Sequence, residues 1–554
     1  MSTNRLFAVA PAAFGLALTC CYHPLVAGDS QQRLQTLESF DHSTKVADKP
    51  VPLADVPLEP KESIHEQARK MFVAGDQKPE GRELTIAEVR KSILENNLGL
   101  RVDRYGPEIA GETYEAAAWK FEPRLGATAS YTKDFDAAGD PAKTIFIEPS
   151  LRVPTRLGGD VTLSLPYSAR DSDQKTIFGP GGPVAEGKTK TPGLTISLSQ
   201  PLLRNAWLSV NYASINLAGL RARQADARMK LATIRALALG EQTYWRYYAA
   251  YESLRIQVQR YDLAKEQLRF AIRLVEEGVR NKIEVTRAAS GVALEFEGVI
   301  RSELERRRGE RALKRVLNIP GLGVDSATVI HPATPPSPVG LTFNRATIME
   351  LALASRMDLF ENELQVAVDE TTETLLGNQV LPDVSFTFAY SFSGARPELS
   401  DAIDRLVEDD LNKLTASLRI DLPLVADQAA RALWRQSILT KSQTLARRKD
   451  LTQAVQQEVM NAVDAVEQTW QRILANRQAV ALAQETYDAE KTQFAYGQTT
   501  STEVLRALGS LALARQAFAQ ASSDYHNTMV DLAFATGTIL SETGVKWPEL
   551  GPSE

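Results

Sequence analysis

Apolar residues in this chain follow two periods, and each half switches between them. Leu125, Ala127, Ala129 and Tyr131 alternate with Gly126, Thr128, Ser130 and Thr132, the two-residue repeat of a strand with one apolar and one polar face. The alternation returns in "VTLSLPY" (161–167), "GLTISLSQ" (193–200), "VSFTFAY" (384–390) and "TASLRIDL" (415–422), and less cleanly in "IFIEPSLRV" (145–153). Six strands are expected, within about 124–200 and 384–422. Eight to ten residues tilted by about 45° cross a bilayer, so these segments are long enough for a membrane barrel. On alternation alone, a soluble antiparallel sheet fits at least as well.

The strands end at "SQPLLRN" (199–205) and "DLPLVAD" (421–427), where proline suits the first turn of a helix. From there to Gly278 and Gly497 no proline intervenes, and continuous helices would be roughly 110 and 105 Å long. Their apolar residues form heptad seams: Leu254, Val258, Tyr261, Leu268, Ile272 and Val275 in one, Val466, Trp470, Ile473, Val480 and Tyr487 in the other. Beyond the glycines the spacing resumes, in Val285, Ala289, Val292, Phe296 and Val299, and in Val504, Leu508, Leu511, Phe518, Tyr525, Met529 and Leu532. Two out-and-back coiled-coil hairpins are predicted. Each seam is too rich in alanine to bury much alone, so several hairpins must pack side by side.

The halves are copies of one another. "EEGVRNKIEVTRAASGV" (276–292) lies on "AYGQTTSTEVLRALGSL" (495–511) without a gap, matching Gly278 with Gly497, Glu284 with Glu503, Val285 with Val504 and Arg287 with Arg506. "LTIAEV" from Leu84 is matched by "LTFNRA" from Leu341, and Pro123 by Pro382. The chain divides into an N-terminal signal (1–27), an extended arm (28–83), a first repeat (84–318), a Pro-rich linker (319–340), a second repeat (341–540) and a tail (541–554). The first repeat carries extra residues between Pro123 and Pro201, which either add strands to a barrel or form an external flap.

Charge and candidate chemistry narrow the function by exclusion. A net charge of -6 offers no basic field for nucleic acid, and five histidines and seven methionines are scattered, so neither a metal site nor another cofactor is expected. No histidine pairs with a serine or cysteine nucleophile and no phosphate-cradling glycine loop follows a strand, which argues against an enzyme. Both cysteines, Cys20 and Cys21, close an apolar stretch (6–19) that reads as a secretory signal and is too short to span a bilayer. Cleavage after Ala27 and lipidation at Cys20 or Cys21 are both open.

Taken in order and twice over, the "LTxxE…LENN" opening, the Pro-led strands, "QPLLRN", the Gly-x5-acid-Val turn and the closing "YHNTMVDLAFATG" resemble the outer membrane efflux proteins. These TolC-like outer membrane factors are the exit ducts of Gram-negative tripartite pumps and type I secretion systems. The resemblance implies a mainly α protein with a transmembrane β-barrel. Three internally duplicated chains form a trimeric α-barrel tube continuous with that membrane barrel, set in outer-membrane lipid with a long periplasmic extension. It further implies a periplasmic adaptor docked at the tips, through Gly278, Val285, Gly497, Val504 and Leu505, and an inner-membrane pump reached through the adaptor. The family closes the inner tip with acidic side chains six and nine residues after the second glycine. Here these positions hold Glu503 and Arg506, which makes Glu503, Arg506 and their counterparts Glu284 and Arg287 the expected periplasmic gate. A lipid-tethered or soluble periplasmic coiled-coil scaffold is the other function class, although it has no use for strands carrying Phe386, Phe388 and Tyr390 on one face.

Overall fold

The computed structural model describes residues 81–135, 141–172, 178–179, 182–183, 188–394, 396, 398–407, 412–422 and 427–542. Cys20, Cys21, the expected signal, nearly all of the arm, most of the tail and Pro423 lie outside them.

Strand β1 (Gly81–Leu84) leads into helices α1 (Ile86–Asn96), α2 (Leu98–Asp103) and α3 (Tyr105–Ala118). Then come β2 (Arg124–Phe135), β3 (Pro141–Pro154), β4 (Asp160–Ser164), β5 (Tyr167–Ser172), the two-residue strands β6 (Phe178–Gly179) and β7 (Gly182–Pro183), and β8 (Lys188–Pro201). The first hairpin follows as α4 (Leu208–Asn211), α5 (Ala213–Glu276) and α6 (Lys282–Leu317), and β9 (Val329–Pro332) ends the first half. The second half runs α7 (Arg345–Ser355), α8 (Met357–Gln379), β10 (Asp383–Ser393), α9 (Leu399–Val407), β11 (Asn412–Asp421), α10 (Gln428–Ala495), α11 (Ser501–Thr536) and α12 (Ile539–Glu542).

All six expected strand regions are present, in one antiparallel sheet of order β11-β10-β8-β4-β3-β2, with β5 pairing both β3 and β8. The stretch 161–167 divides where one strand was expected, because Pro166 has no N–H to give the ladder. The Leu165 N–H instead donates to Pro149 O at 2.9 Å, and Pro166 O accepts from the Gly193 N–H at 2.7 Å. β4 and β5 therefore fill one place in the sheet, end to end. Pro201 does not open a helix as expected; it ends β8, and Asn205 and Trp207 take positive φ (60° and 76°) before α4 begins.

β1 and β9 pair in parallel, Gly81 opposite Val329 and Leu84 opposite Pro332. Neither was expected: β9 falls inside the Pro-rich linker, which proves to be stitched to both hairpins. Tyr247 donates to Ile330 O, the Tyr244 hydroxyl to Thr334 O at 3.1 Å, and Tyr525 to Val339 O. The matching openings also diverge. Thr85 caps α1 in a full box with Glu88, whereas α7 is capped by Asn344 rather than by the threonine of the second "LT".

The two long helices are continuous, and a core forms along each hairpin, the first one joined by Val530 and Ala533 of α11. Leu84, Ile93, Leu237, Tyr244, Tyr247, Leu313, Leu317 and Ile330 gather the first around the β1–β9 pair. Val455, Val459, Val463, Val466, Ile473, Tyr525 and Leu532 gather the second. The α6 seam differs from the apolar one expected: Ala289 is exposed, and the buried line includes Glu284, Glu295, Arg306, Glu310 and Lys314. These charges are paired. Glu295 meets Arg260 at 2.8 Å, Glu310 meets both Arg306 and Lys314 (2.8 Å to the lysine), and Lys314 also donates to Thr328 O at 2.7 Å. On α5, Ile272 is exposed while Ala271 and Leu274 are buried, because that helix packs against α11 as well as α6.

His526 pins the linker. Its Nε2 accepts the Ser337 N–H at 3.1 Å while its ring stacks on Trp245 at 4.2 Å, beside the Arg90–Glu241 pair. Burial pushes this imidazole from 6.5 down to about 4. The neutral ring's contribution to stability is therefore complete above 6.5 and is lost as pH falls between those values, where only the unfolded chain binds the proton. The thermal midpoint in detergent is expected to fall on acidification toward pH 4, and His526→Gln, which keeps an acceptor for Ser337 but cannot titrate, should flatten that fall. An unchanged slope would assign the acid sensitivity to carboxylates.

Candidate functional site at the hairpin tips

Both hairpins turn at glycine. Gly278 and Gly497 take φ of 75° and 81°, the left-handed geometry that lacks the Cβ penalty only in glycine. The hydrogen bonds are of one kind at both ends. The Gly278 N–H donates to Val275 O and the Val279 N–H to Leu274 O (3.1 and 2.9 Å), while Gly497 donates to Phe494 O and Gln498 to Gln493 O (3.0 and 2.9 Å). This is the Schellman closure, which satisfies carbonyls that the last helical turn leaves free.

The returning helices start differently. Asn281 caps α6, its side chain accepting from the Ile283 N–H at 3.4 Å. Thr500 stands at the cap of α11 without a capping side-chain bond, and the acceptor comes from the other tip. Glu284 Oε2 accepts from the Ser501 N–H at 3.2 Å and from the Ser501 hydroxyl at 2.5 Å, while Glu284 Oε1 accepts from Arg287 at 2.8 Å. A carboxylate at a helix start also meets the positive end of the helix dipole. Burial works against the Glu284 charge, but the Ser501 bonds and Arg287 outweigh it and hold the carboxyl below its ordinary value of 4.5. Arg280 adds a second link, donating to Thr499 O at 2.8 Å with its guanidinium 5.5 Å from the Phe494 ring centre.

The matched acids therefore occupy unlike settings. Glu284 is 6% exposed and ties the tips together. Glu503 and Arg506 face outward, their side chains 40% and 70% exposed, and pair with each other at 2.8 Å one turn apart. The expected gate residues thus form two separate ion pairs, one inside the chain and one on its surface. Among the expected docking residues, Val504 is 2% exposed, packed with Leu274, Phe494 and Leu508 in the tip core, because the turn that presents Glu503 to solvent sends Val504 into the hairpin seam. Val285 is half-buried, and Leu505 lies over Gly291, where an added Cβ would come within 2.7 Å of it. The large apolar groups open to solvent at the tips are Tyr496, Val279 and Ile283. Sequence reading missed these together with Arg280, and it missed the link from Glu284 to Ser501, a residue it offers only as a cap candidate for α11. The available signal was that Arg280 and Ser501 fall where the two copies differ, opposite Thr499 and Lys282.

Among the described residues no group of three or more His, Cys, Asp or Glu could hold a metal ion, and no helix is long and apolar enough to cross a membrane.

Residues 348–538 match the family described as outer membrane efflux protein. No protein of curated function matches in sequence comparison. Several solved structures share the fold. The CmeC outer membrane channel of Campylobacter jejuni is 15% identical with a TM-score of 0.61, covering 89% of this chain and 94% of its own. The outer membrane protein VceC of Vibrio cholerae is 15% identical with a TM-score of 0.59, covering 82% and 96%. The open-state MtrE outer membrane channel of Neisseria gonorrhoeae is 15% identical with a TM-score of 0.58, covering 82% and 88%. The family match thus lies within the second repeat, and the fold of these outer membrane channels is shared along most of the chain.

Proposed function

We propose that three copies of this chain form a passive exit duct: a β-barrel in the outer membrane continued by a helical tube in the periplasm, docked at its tips to an adaptor and through it to an inner-membrane pump. The observation that carries this reading is a sheet apolar on one exposed face, from Leu125 on β2 to Leu418 on β11, in a chain that also holds two hairpin arms of 64 and 68 residues. Such a face suits lipid, and such arms bury their sides only against neighbours. The family match and the likeness to solved outer membrane channels support it. A periplasmic scaffold would leave that face in water. Exposed Tyr496, Val279 and Ile283 are the adaptor-facing groups on this reading.

The closed state is held, on this reading, by two contacts at the tips. Glu284 fastens the first tip to the start of α11, and three outward Glu503–Arg506 pairs ring the axis. One exposed pair contributes about 0 to 1 kcal/mol, but a threefold set acts together on a two-state opening that a few kcal/mol decide.

Light scattering of the purified protein in detergent should report a trimer; a monomer or dimer with native circular dichroism counts against the duct. Deleting the chain should abolish export by its cognate pump at unchanged pump abundance.

Glu503→Gln and Arg506→Ala should each raise single-channel conductance in planar bilayers, and exchanging the two residues should partly restore closure. Parental conductance in both single variants, with adaptor binding intact, would remove this pair from the gate. Glu284→Gln should loosen the closed state as well. Because the Glu284 carboxyl is held below 4.5, the parent's tip contact is complete above that value and is lost as pH falls through the lowered one, an acid response the variant should lack.

Gly278→Ala and Gly497→Ala should each cost about 1 to 2 kcal/mol, from backbone strain alone at Gly278, where no atom lies within 4 Å of an added Cβ. Faster amide exchange confined to the tip would register it.

A further inference from the structure

The extra residues of the first repeat occupy the middle of the sheet, not its margin. β2 pairs with β3 along its whole length, Arg124 opposite Arg152 to Phe135 opposite Pro141. β8 meets β10 on one side and the β4–β5 pair on the other. Each chain therefore contributes six places to its sheet, β4 and β5 sharing one, and β2 and β8 have no contact through which a smaller sheet would close.

The faces tell the same. One row of opposed residues crosses all six places as Leu125, Leu151, Leu163, Ile196, Tyr390 and Leu414, apolar throughout. The adjacent row, on the opposite face, runs Gly126, Ser150, Ser164, Thr195, Ser391 and Lys413. In β4 the apolar side is the more exposed one, with Val161 and Leu163 at 37% and 39% while Ser164 is buried at 7%. From Ile145 to Val153 on β3 the apolar side runs about 26 Å along the strand at 3.3 Å per residue. That is close to the height of a lipid-facing band, about 25 Å. A flap lying outside the wall would have no reason to continue the wall's register or the polarity of both its faces.

We infer that β3 and the β4–β5 pair are staves of the membrane wall, so that three chains close a barrel of eighteen strands instead of the twelve that four places per chain would supply. The inference rests on the trimeric duct proposed above. The occupant of the apolar face is lipid acyl chain, and the opposite face lines a hydroxyl-rich bore. Barrel diameter grows nearly linearly with strand number, so the bore is about 1.5 times as wide as a twelve-stranded one, suited to bulky hydrated cargo.

The test uses the full-length protein in lipid nanodiscs. Native mass spectrometry reads the number of chains, and electron cryomicroscopy of the same sample reads the staves in cross-section. Eighteen staves with residues 141–172 in the wall are expected; a trimer with twelve staves and that segment outside overturns the inference and leaves the duct standing. A monomer or dimer by mass overturns both. Independently, Leu163→Trp should lose emission, relative to the parent, when the lipid is replaced by a brominated one, and Thr162→Trp should not. Equal response at the two positions in a trimer of native mass also overturns it.

Discussion

Backbone hydrogen bonding at the two sides of the sheet is the constraint on which the rest depends. Among the described residues, β2 and β11 each have a partner on one side only, and their apolar residues, Leu125 and Leu414 among them, are exposed. In hydrocarbon an unpaired N–H or C=O costs several kcal/mol, so an open sheet of this polarity is tenable only when its last strand meets another first strand. The hairpins carry the same demand in another form. Each buries its internal seam, yet Leu239, Leu294, Leu439 and Leu513 remain on outer faces along the arms. On the duct proposed above, both the sheet and the arms are halves of contacts that neighbouring copies complete.

Within the chain, polar chemistry is placed where geometry needs a fixed register. The α6 seam replaces apolar knobs with Glu295, Arg306, Glu310 and Lys314, every one paired. Removing one partner of a buried pair leaves an uncompensated charge, which costs far more than the pair contributes, so a slip of α6 by one turn is penalised more sharply than in the apolar seam of the second hairpin. Glu284 extends that line to its end, where its partner is the second tip.

Strands, long helices and glycine turns were legible because each writes its period or its punctuation on consecutive residues. The sheet's apolar face could be read from Leu125 to Tyr131 before any pairing was known. β1 and β9 could not: four residues each, with Pro332 in one, hold no alternation long enough to notice. The charged seam was invisible to a search for apolar periodicity, since Glu295 and Lys314 carry the heptad in residues such a search discards. Whether Glu284 faced solvent or the neighbouring tip was equally closed to inspection, because its partner Ser501 stands 217 residues away and the matching serine is a lysine in the other copy. Pairing order within the sheet was hidden for the same reason, and with it the place of the extra strands.

The β1–β9 pair has a consequence for how the chain reaches this state. Its flanking contact, the Ile86 N–H to the Thr334 hydroxyl, joins residues 248 positions apart, and closing so long a flexible loop costs on the order of 5 kcal/mol in chain entropy. Once α5 and α6 have folded back on one another, their ends lie side by side and most of that span no longer has to be searched. Loop entropy therefore favours pairing of the two short strands after the hairpin has closed. During synthesis β1 must wait for β9 until the whole first repeat has been made.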